Sequence, residues 1–158
     1  MRDDPTPQDR AQGQDPGHEA RHARALETLA AMDPAALKAA AEAILPMLGA
    51  VEVTTSRTGL VMLPMRDTVQ GAAFFLGDVL VAEAQVRLGA HGVEGYGMVV
   101  GRDLERAMAM ALIDAARAAG IETERLDALL AQAAEKIAAD EADLLRRIEA
   151  TRVEMETF

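Results

Sequence analysis

The stretch "VLVAEAQVRL", Val79 to Leu88, sets the fold. Ala82, Ala84, Val86 and Leu88 alternate with Glu83, Gln85 and Arg87, the period of two expected of a strand with one face on a core and the other in water. "GAHGVEG" follows, with enough glycine to reverse the chain, so "YGMVV" at Tyr96 to Val100 is expected to return antiparallel. Upstream, in "VEVTTSR", Val51, Val53 and Thr55 share one side and Glu52, Thr54 and Ser56 the other. "TG" at Thr58 and Gly59 then reads as a turn, and "LVMLPM" as a further, more apolar strand ahead of "AAFFLGD". Pro64 cannot donate to a ladder, which puts that strand at an edge or ends it there. Four successive strands joined by short links predict an antiparallel meander.

Helical periodicity flanks the strands. Residues 1–17 hold three prolines and two glycines with no apolar period, the composition of a disordered tail. From His18 onward Leu26, Leu29 and Ala30 repeat at helical spacing, and "MDP" offers Asp33 as N-cap and Pro34 as first residue of a second helix reaching about Met47. After the strands, Leu104, Ala107, Met108, Ala111, Leu112 and Ala115 form one stripe that Gly120 stops. Leu126, Leu130, Ala133, Ile137, Leu144, Ile148 and Met155 then continue with no Gly or Pro between Glu122 and Phe158. Such a helix of about 33 residues would reach roughly 50 Å, against a radius of gyration of about 15 Å for a domain this long. A partner chain is the simplest cover for its far end, and a kink is the alternative. The expected fold is therefore α+β, a four-stranded antiparallel meander flanked by two N-terminal and two C-terminal helices, the last one long, in a single domain over 18–158.

Composition narrows the function. A chain of 158 residues that is 50% apolar fits one domain burying roughly 70% of its unfolded surface. The absence of cysteine excludes disulfides, thiolate metal sites and thiol nucleophiles. A net charge of −10 disfavours nucleic acid and anionic membrane as partners. No apolar run approaches the ~20 residues of a membrane span, and the N-terminus has no apolar segment of a secretory signal. A soluble, cytoplasmic, acidic protein is expected.

The densest motif is "GYGMVVGRD", Gly95 to Asp103. Gly101 ahead of a helix would let backbone amides approach an anion, with Arg102 adding charge. Alternatively Asp103 is the N-cap, its carboxylate already occupying those amides. No phosphate-loop pattern occurs, and the glycine spacing is not a dinucleotide fingerprint. "DEAD" at Asp140 to Asp143 lies inside a helical pattern and reads as a solvated face. His18 and His22 share a helical face without a placed carboxylate, so no metal site is expected and both face solvent. His91 belongs to a surface turn. Asp78 is a turn residue or a general base, and Tyr96, the only tyrosine, is a buried phenol seeking one partner.

"TGL" at Thr58 to Leu60, "FFLGDVLVAEAQVRL" at Phe74 to Leu88, "GYGMVVGRDLERAMAMALIDAA" at Gly95 to Ala116 and the ending "ATRVEMETF" together resemble the PhnG family, the G subunits of the carbon-phosphorus lyase pathway of phosphonate degradation. The resemblance runs from about Arg21 to the C-terminus. Departures are Ala25, near where some relatives carry Trp, and Glu156, where an aromatic is common. The resemblance implies a subunit of the synthase that makes α-D-ribose 1-methylphosphonate 5-triphosphate from ATP and methylphosphonate with release of adenine. It implies displacement chemistry on the I subunit, with the G, H and L subunits needed for phosphonate to replace water. Implied partners are PhnI chiefly, with PhnH, PhnJ and PhnL. Independently of the resemblance, a homodimer through the exposed stripe of the last helix is the expectation for the chain alone, because C2 pairing is the cheapest closed way to hide that stripe. ATP and methylphosphonate are then substrates of the complex, with no cofactor bound by this chain. Gly77, Asp78, Gly95, Tyr96, Gly101, Arg102, Asp103 and Asp114 match the family's segments without an assigned role. Leu126, Leu130, Ile137, Leu144, Ile148, Met155 and Phe158 form the candidate partner interface.

Two other readings differ in class. One is a small enzyme using Asp78, Tyr96 and Arg102 around a pocket, which requires those groups within reach of one substrate. The other is a helix-mediated interaction module with no part in phosphonate chemistry.

Overall fold

The structure, a computed structural model, describes residues 16–151. The order is α1 (Pro16–Ala31), α2 (Pro34–Ile44) running into a short 3-10 turn (Leu45–Met47), β1 (Val51–Arg66), β2 (Ala73–Leu88), β3 (Val93–Val100), α3 (Leu104–Ala118) and α4 (Thr123–Ala150). The fold is α+β, with two helices before the sheet and two after it. Of the segment expected as a disordered tail, 1–17, only Pro16 and Gly17 are described, and they open α1.

The sheet has three antiparallel strands in the order β1-β2-β3, which corrects the expected four. The Thr58-Gly59 pair is not a turn. Thr58, Gly59 and Leu60 pair with Ala82, Val81 and Leu80 in one uninterrupted ladder, so the two expected strands are a single 16-residue β1. The reversal lies beyond it, where the Asp67 carboxylate accepts the amides of Val69 (3.1 Å) and Gln70 (2.9 Å) and the Asp67 amide donates to the Ala72 carbonyl at 2.9 Å. Two register shifts break the period of two. One falls between Val53 and Thr55, leaving Thr54 as the extra residue. Val51 and Val53 therefore share the helix-side face with Leu88 and Val86, while Thr55 moves across to pair with Gln85. The other falls between Leu63 and Pro64, where β2 carries Leu76 unpaired beside Gly77, whose φ of 151° suits a residue without Cβ. Pro64 lies on β1, at the sheet edge, as its missing donor requires.

Helix α3 covers one face of the sheet, and α1, α2 and α4 lie against α3. This makes α3 a central helix: every residue from Ala109 to Ala116 is buried, a wider surface than the single stripe its sequence suggests. Leu29, Leu37, Ile44, Leu48, Val86, Leu88, Ile113 and Leu126 fill the core. Asp33 caps α2 by accepting the Ala36 amide at 3.0 Å, with Pro34 next. Gly120 ends α3 with the paired bonds of a Schellman motif, Ile121 N–H to Ala116 C=O at 2.9 Å and Gly120 N–H to Arg117 C=O at 3.1 Å.

Because β3 is only eight residues long, it pairs with Val81–Leu88 and leaves the first half of β2 with β1 as its only neighbour. Leu60–Arg66 and Ala73–Leu80 thus extend beyond the three-stranded region as a two-stranded arm. Among the described residues no helix is long and apolar enough to cross a membrane.

Candidate functional site

Gly95 and Gly97 alternate along β3 on the face toward α3. A Cβ on Gly95 would lie 2.1 Å from the Ala111 carbonyl oxygen, and one on Gly97 2.1 Å from that of Ala107. Ala107, Ala111 and Ala115 are all fully buried against this face. The glycines of "GYG" are therefore the contact by which a strand and a helix backbone meet, not a phosphate cradle.

Asp114, on the same helix, is 4% exposed and the one charged residue in the core among the described residues. Its Oδ2 accepts the Tyr96 backbone N–H at 3.0 Å, and its Oδ1 is 2.8 Å from His22 Nε2. The carboxylate thereby ties β3, α3 and α1 together. His22 stays exposed as expected, its side chain 45% accessible, but it does have a carboxylate partner, supplied by a residue 92 positions away. A cleft of about 430 Å³ opens beside this cluster, walled by His18, Glu94, Arg117 and Asp127 among others. Its charges are of both signs, and Arg117 is already committed to Asp127 at 3.0 Å.

The turn from β3 into α3 answers the question posed by Gly101, Arg102 and Asp103. Gly101 N–H donates to the Leu80 carbonyl at 2.9 Å and closes the ladder. Asp103 caps α3, accepting the Arg106 amide at 2.9 Å. That bond, helped by Lys38, holds the Asp103 carboxyl below its ordinary pKa. Lys38 Nζ lies 3.2 Å from Asp103 and 3.1 Å from Glu105, and the two partners, Glu105 first, raise its pKa. Arg102 is exposed beside the cap.

Tyr96 projects to the opposite face of the sheet. Its hydroxyl donates to Glu83 Oε1 at 3.2 Å, and Glu83 Oε2 accepts from Arg57 Nε at 2.8 Å, a chain across all three strands. The Arg57 bond lowers the Glu83 pKa against the opposing effect of burial. Burial first, and then the Glu83 charge, raise that of the Tyr96 phenol.

Asp78 lies on the arm, an exposed strand residue opposite Met62 and not a turn. Tyr96 pairs with Gln85, seven residues further along β2, which at about 3.3 Å per residue is roughly 23 Å. The two residues also occupy opposite faces of the sheet. The structure therefore does not gather Asp78, Tyr96 and Arg102 around one substrate. Among the described residues no three His, Asp or Glu side chains are placed to hold a metal ion.

Two apolar surfaces stay open instead. Leu126 and Leu130 of α4, read as interface residues, are covered by the chain's own core, and Ile137 is half-buried. Further along, Leu144 and Ile148 are exposed, joined by Leu145, while Met155 and Phe158 lie outside the described residues. The arm exposes Leu60 (67%) and Phe75 (65%) together with Met62, Met65 and Phe74. Sequence reasoning missed the arm because its division into separate strands hid its length. It also missed Arg106, whose guanidinium donates to the Ala30 and Met32 carbonyls at the end of α1. The absence of a basic residue in the last turn of α1 was the available signal.

Comparison with known proteins places the chain. The family described as "Phosphonate metabolism protein PhnG" matches residues 19–158. A protein of Rhizobium meliloti (strain 1021), the alpha-D-ribose 1-methylphosphonate 5-triphosphate synthase subunit PhnG, is 34% identical over 101 residues. The matched segment spans 64% of this chain and 64% of that relative's length. With nearly its whole length from α1 onward matched, the chain belongs to the PhnG family of phosphonate metabolism proteins.

Proposed function

We propose that this chain is a subunit of the carbon-phosphorus lyase system, required with the I, H and L subunits to form α-D-ribose 1-methylphosphonate 5-triphosphate from ATP and methylphosphonate with release of adenine. It works in the cytoplasm as an assembly component and does not carry out the displacement alone. PhnI is its chief partner, with PhnH, PhnJ and PhnL in the same assembly, and ATP and methylphosphonate are substrates of the whole.

The observation that carries this reading is the pairing of the family match with a surface built for assembly. A chain of the PhnG family leaves Leu144, Leu145 and Ile148 of α4 and most of the arm uncovered, and exposed apolar surface of that extent is typical of protein–protein contacts. Asp103 is instead engaged in a cap and Tyr96 in a cross-strand link, and Asp78 and Tyr96 lie far apart on opposite faces.

The test is an ATP-cleavage assay with and without methylphosphonate. The purified chain alone is expected to release no adenine, and turnover is expected once PhnI, PhnH and PhnL are added. Robust adenine release by the chain alone overturns the proposal, as does full activity of the other subunits without it.

A further inference from the structure

We propose that Asp114 guards the free edge of β3, with His22 of α1 holding the carboxylate in place, so that β3 cannot pair with a further strand while α1 is docked. β3 ends the sheet, and its ladder fixes which of its groups face outward. The Gly101 N–H bonds to the Leu80 carbonyl, one step past the pairing of Val100 with Val81. In an antiparallel ladder that makes Val100 and Val81 a pair exchanging no bonds of its own. Val93, Gly95, Gly97 and Val99 therefore bond to β2, while Glu94, Tyr96, Met98 and Val100 aim their amides and carbonyls at the open edge.

The strand does little to close that row itself. "VEGYGMVV" has no proline or lysine, and Glu94 is its only charge. Sheets ordinarily defend an edge with such residues, with a bulge or with an inward-pointing charge. Here the charge comes from another element. Asp114 reaches up from α3 and accepts the Tyr96 N–H at 3.0 Å, in the middle of the outward row. An arriving strand would have to displace a carboxylate, a stronger acceptor than its own carbonyl. His22 Nε2 holds the second carboxylate oxygen at 2.8 Å. A carboxylate only 4% exposed is costly to bury, and packing does not require one, since Ala111 and Ala115 fill the same seam without polar atoms.

Helix α1 makes the guard conditional. It touches β3, its buried residues are Ala25 and Leu29, and two polar side chains of α3 fasten it. Asp114 holds His22, and Arg106 holds the Ala30 and Met32 carbonyls. A segment with so few buried contacts opens more readily than the core. When α1 lifts, Asp114 loses His22 and the outward row of β3 becomes available. A second copy supplies the probe strand, because the same row meets itself antiparallel across a two-fold axis.

The experiment measures amide exchange and solution mass on the full chain alone, so its result stands apart from any place in the synthase. In the wild-type chain the Tyr96 amide is expected to exchange about tenfold more slowly than those of Glu94 and Met98, its outward-facing neighbours. Equal rates overturn the proposal without recourse to any variant. Asp114→Ala is expected to associate beyond the wild-type mass at equal concentration, with the Met98 and Val100 amides slowed about tenfold relative to a dilute sample. A variant that keeps the wild-type mass overturns the proposal, as does one that gains mass while those outward amides stay fast, the signature of general misfolding. Should Asp114→Ala fail to fold, His22→Ala decides, because that side chain is 45% accessible and its loss empties no core. It is expected to speed Tyr96 exchange about threefold and to associate in the same way, and the wild-type rate and mass in this variant overturn the proposal.

Discussion

Tyr96 is the chain's only tyrosine, so its ultraviolet titration reports one phenol without assignment. Burial and the nearby Glu83 carboxylate both favour the neutral phenol and raise its pKa, while Arg57 opposes them. The midpoint is expected above the ordinary value of about 10. Glu83→Gln should bring it down without restoring the ordinary value, because burial remains, and Arg57→Ala should move it up. The unfolded chain releases this proton first, so the native state holds more protons between the two pKa values. Stability conferred by the phenol is thus present below about pH 10 and lost as pH rises through the native pKa. A midpoint unmoved by Glu83→Gln would show that the cross-strand link does not form. At this scale the sequence was legible wherever the physics is local. Asp103 was identifiable as a cap because a cap needs only the next three residues. The bond from His22 to Asp114 was not, since nothing within either helix records a contact 92 residues apart.

At the scale of elements, the packing of β3 on α3 depends on two missing side chains. Gly97→Ala would place a Cβ 2.1 Å from the Ala107 carbonyl oxygen and 2.9 Å from the Ala111 nitrogen. Both are backbone atoms that no rotamer change can move aside. We expect this substitution to cost about 1–3 kcal/mol in denaturant unfolding, the usual range for overpacking. Gly59→Ala is the contrasting case. Nothing lies within 4 Å of its Cβ, and its φ is not in the positive range, so stability should stay within about 0.5 kcal/mol or rise slightly. A large loss at Gly59 would mean that the chain turns there after all. The same residue explains the miscounted strand. Thr-Gly signals a hairpin only when glycine adopts positive φ, and here it remains extended while Asp67–Gly71 makes the reversal. Alternation located β2 and β3 because α3 covers one of their faces. It failed across Thr54 and Leu76, where bulges exchange the faces, and on the arm, which no helix covers.

For the whole molecule, the last helix sets the argument. α4 has 28 described residues, about 42 Å at 1.5 Å per residue, yet its buried residues, Leu126 and Leu130, lie in its first turns. Ile137 is the last half-buried apolar residue, and Leu144, Leu145 and Ile148 are exposed beyond it. A helical half of this length is marginal without tertiary contacts, and local opening follows the density of buried contacts. In the isolated chain, amide exchange should therefore be slow around 126–133 and at least tenfold faster over 141–150. Addition of the sibling subunits should slow the distal half while leaving the proximal half little changed, since the chain's own core already protects it. Leu144→Asp with Ile148→Asp should leave the melting temperature of the free chain nearly unchanged, because both residues are already in water, while removing that added protection. Leu126→Ala should do the reverse, costing about 2–5 kcal/mol of stability as a buried truncation does. Uniform protection along α4 in the free chain would show that the distal stripe is covered without a partner, and the case for assembly would then rest on the arm alone.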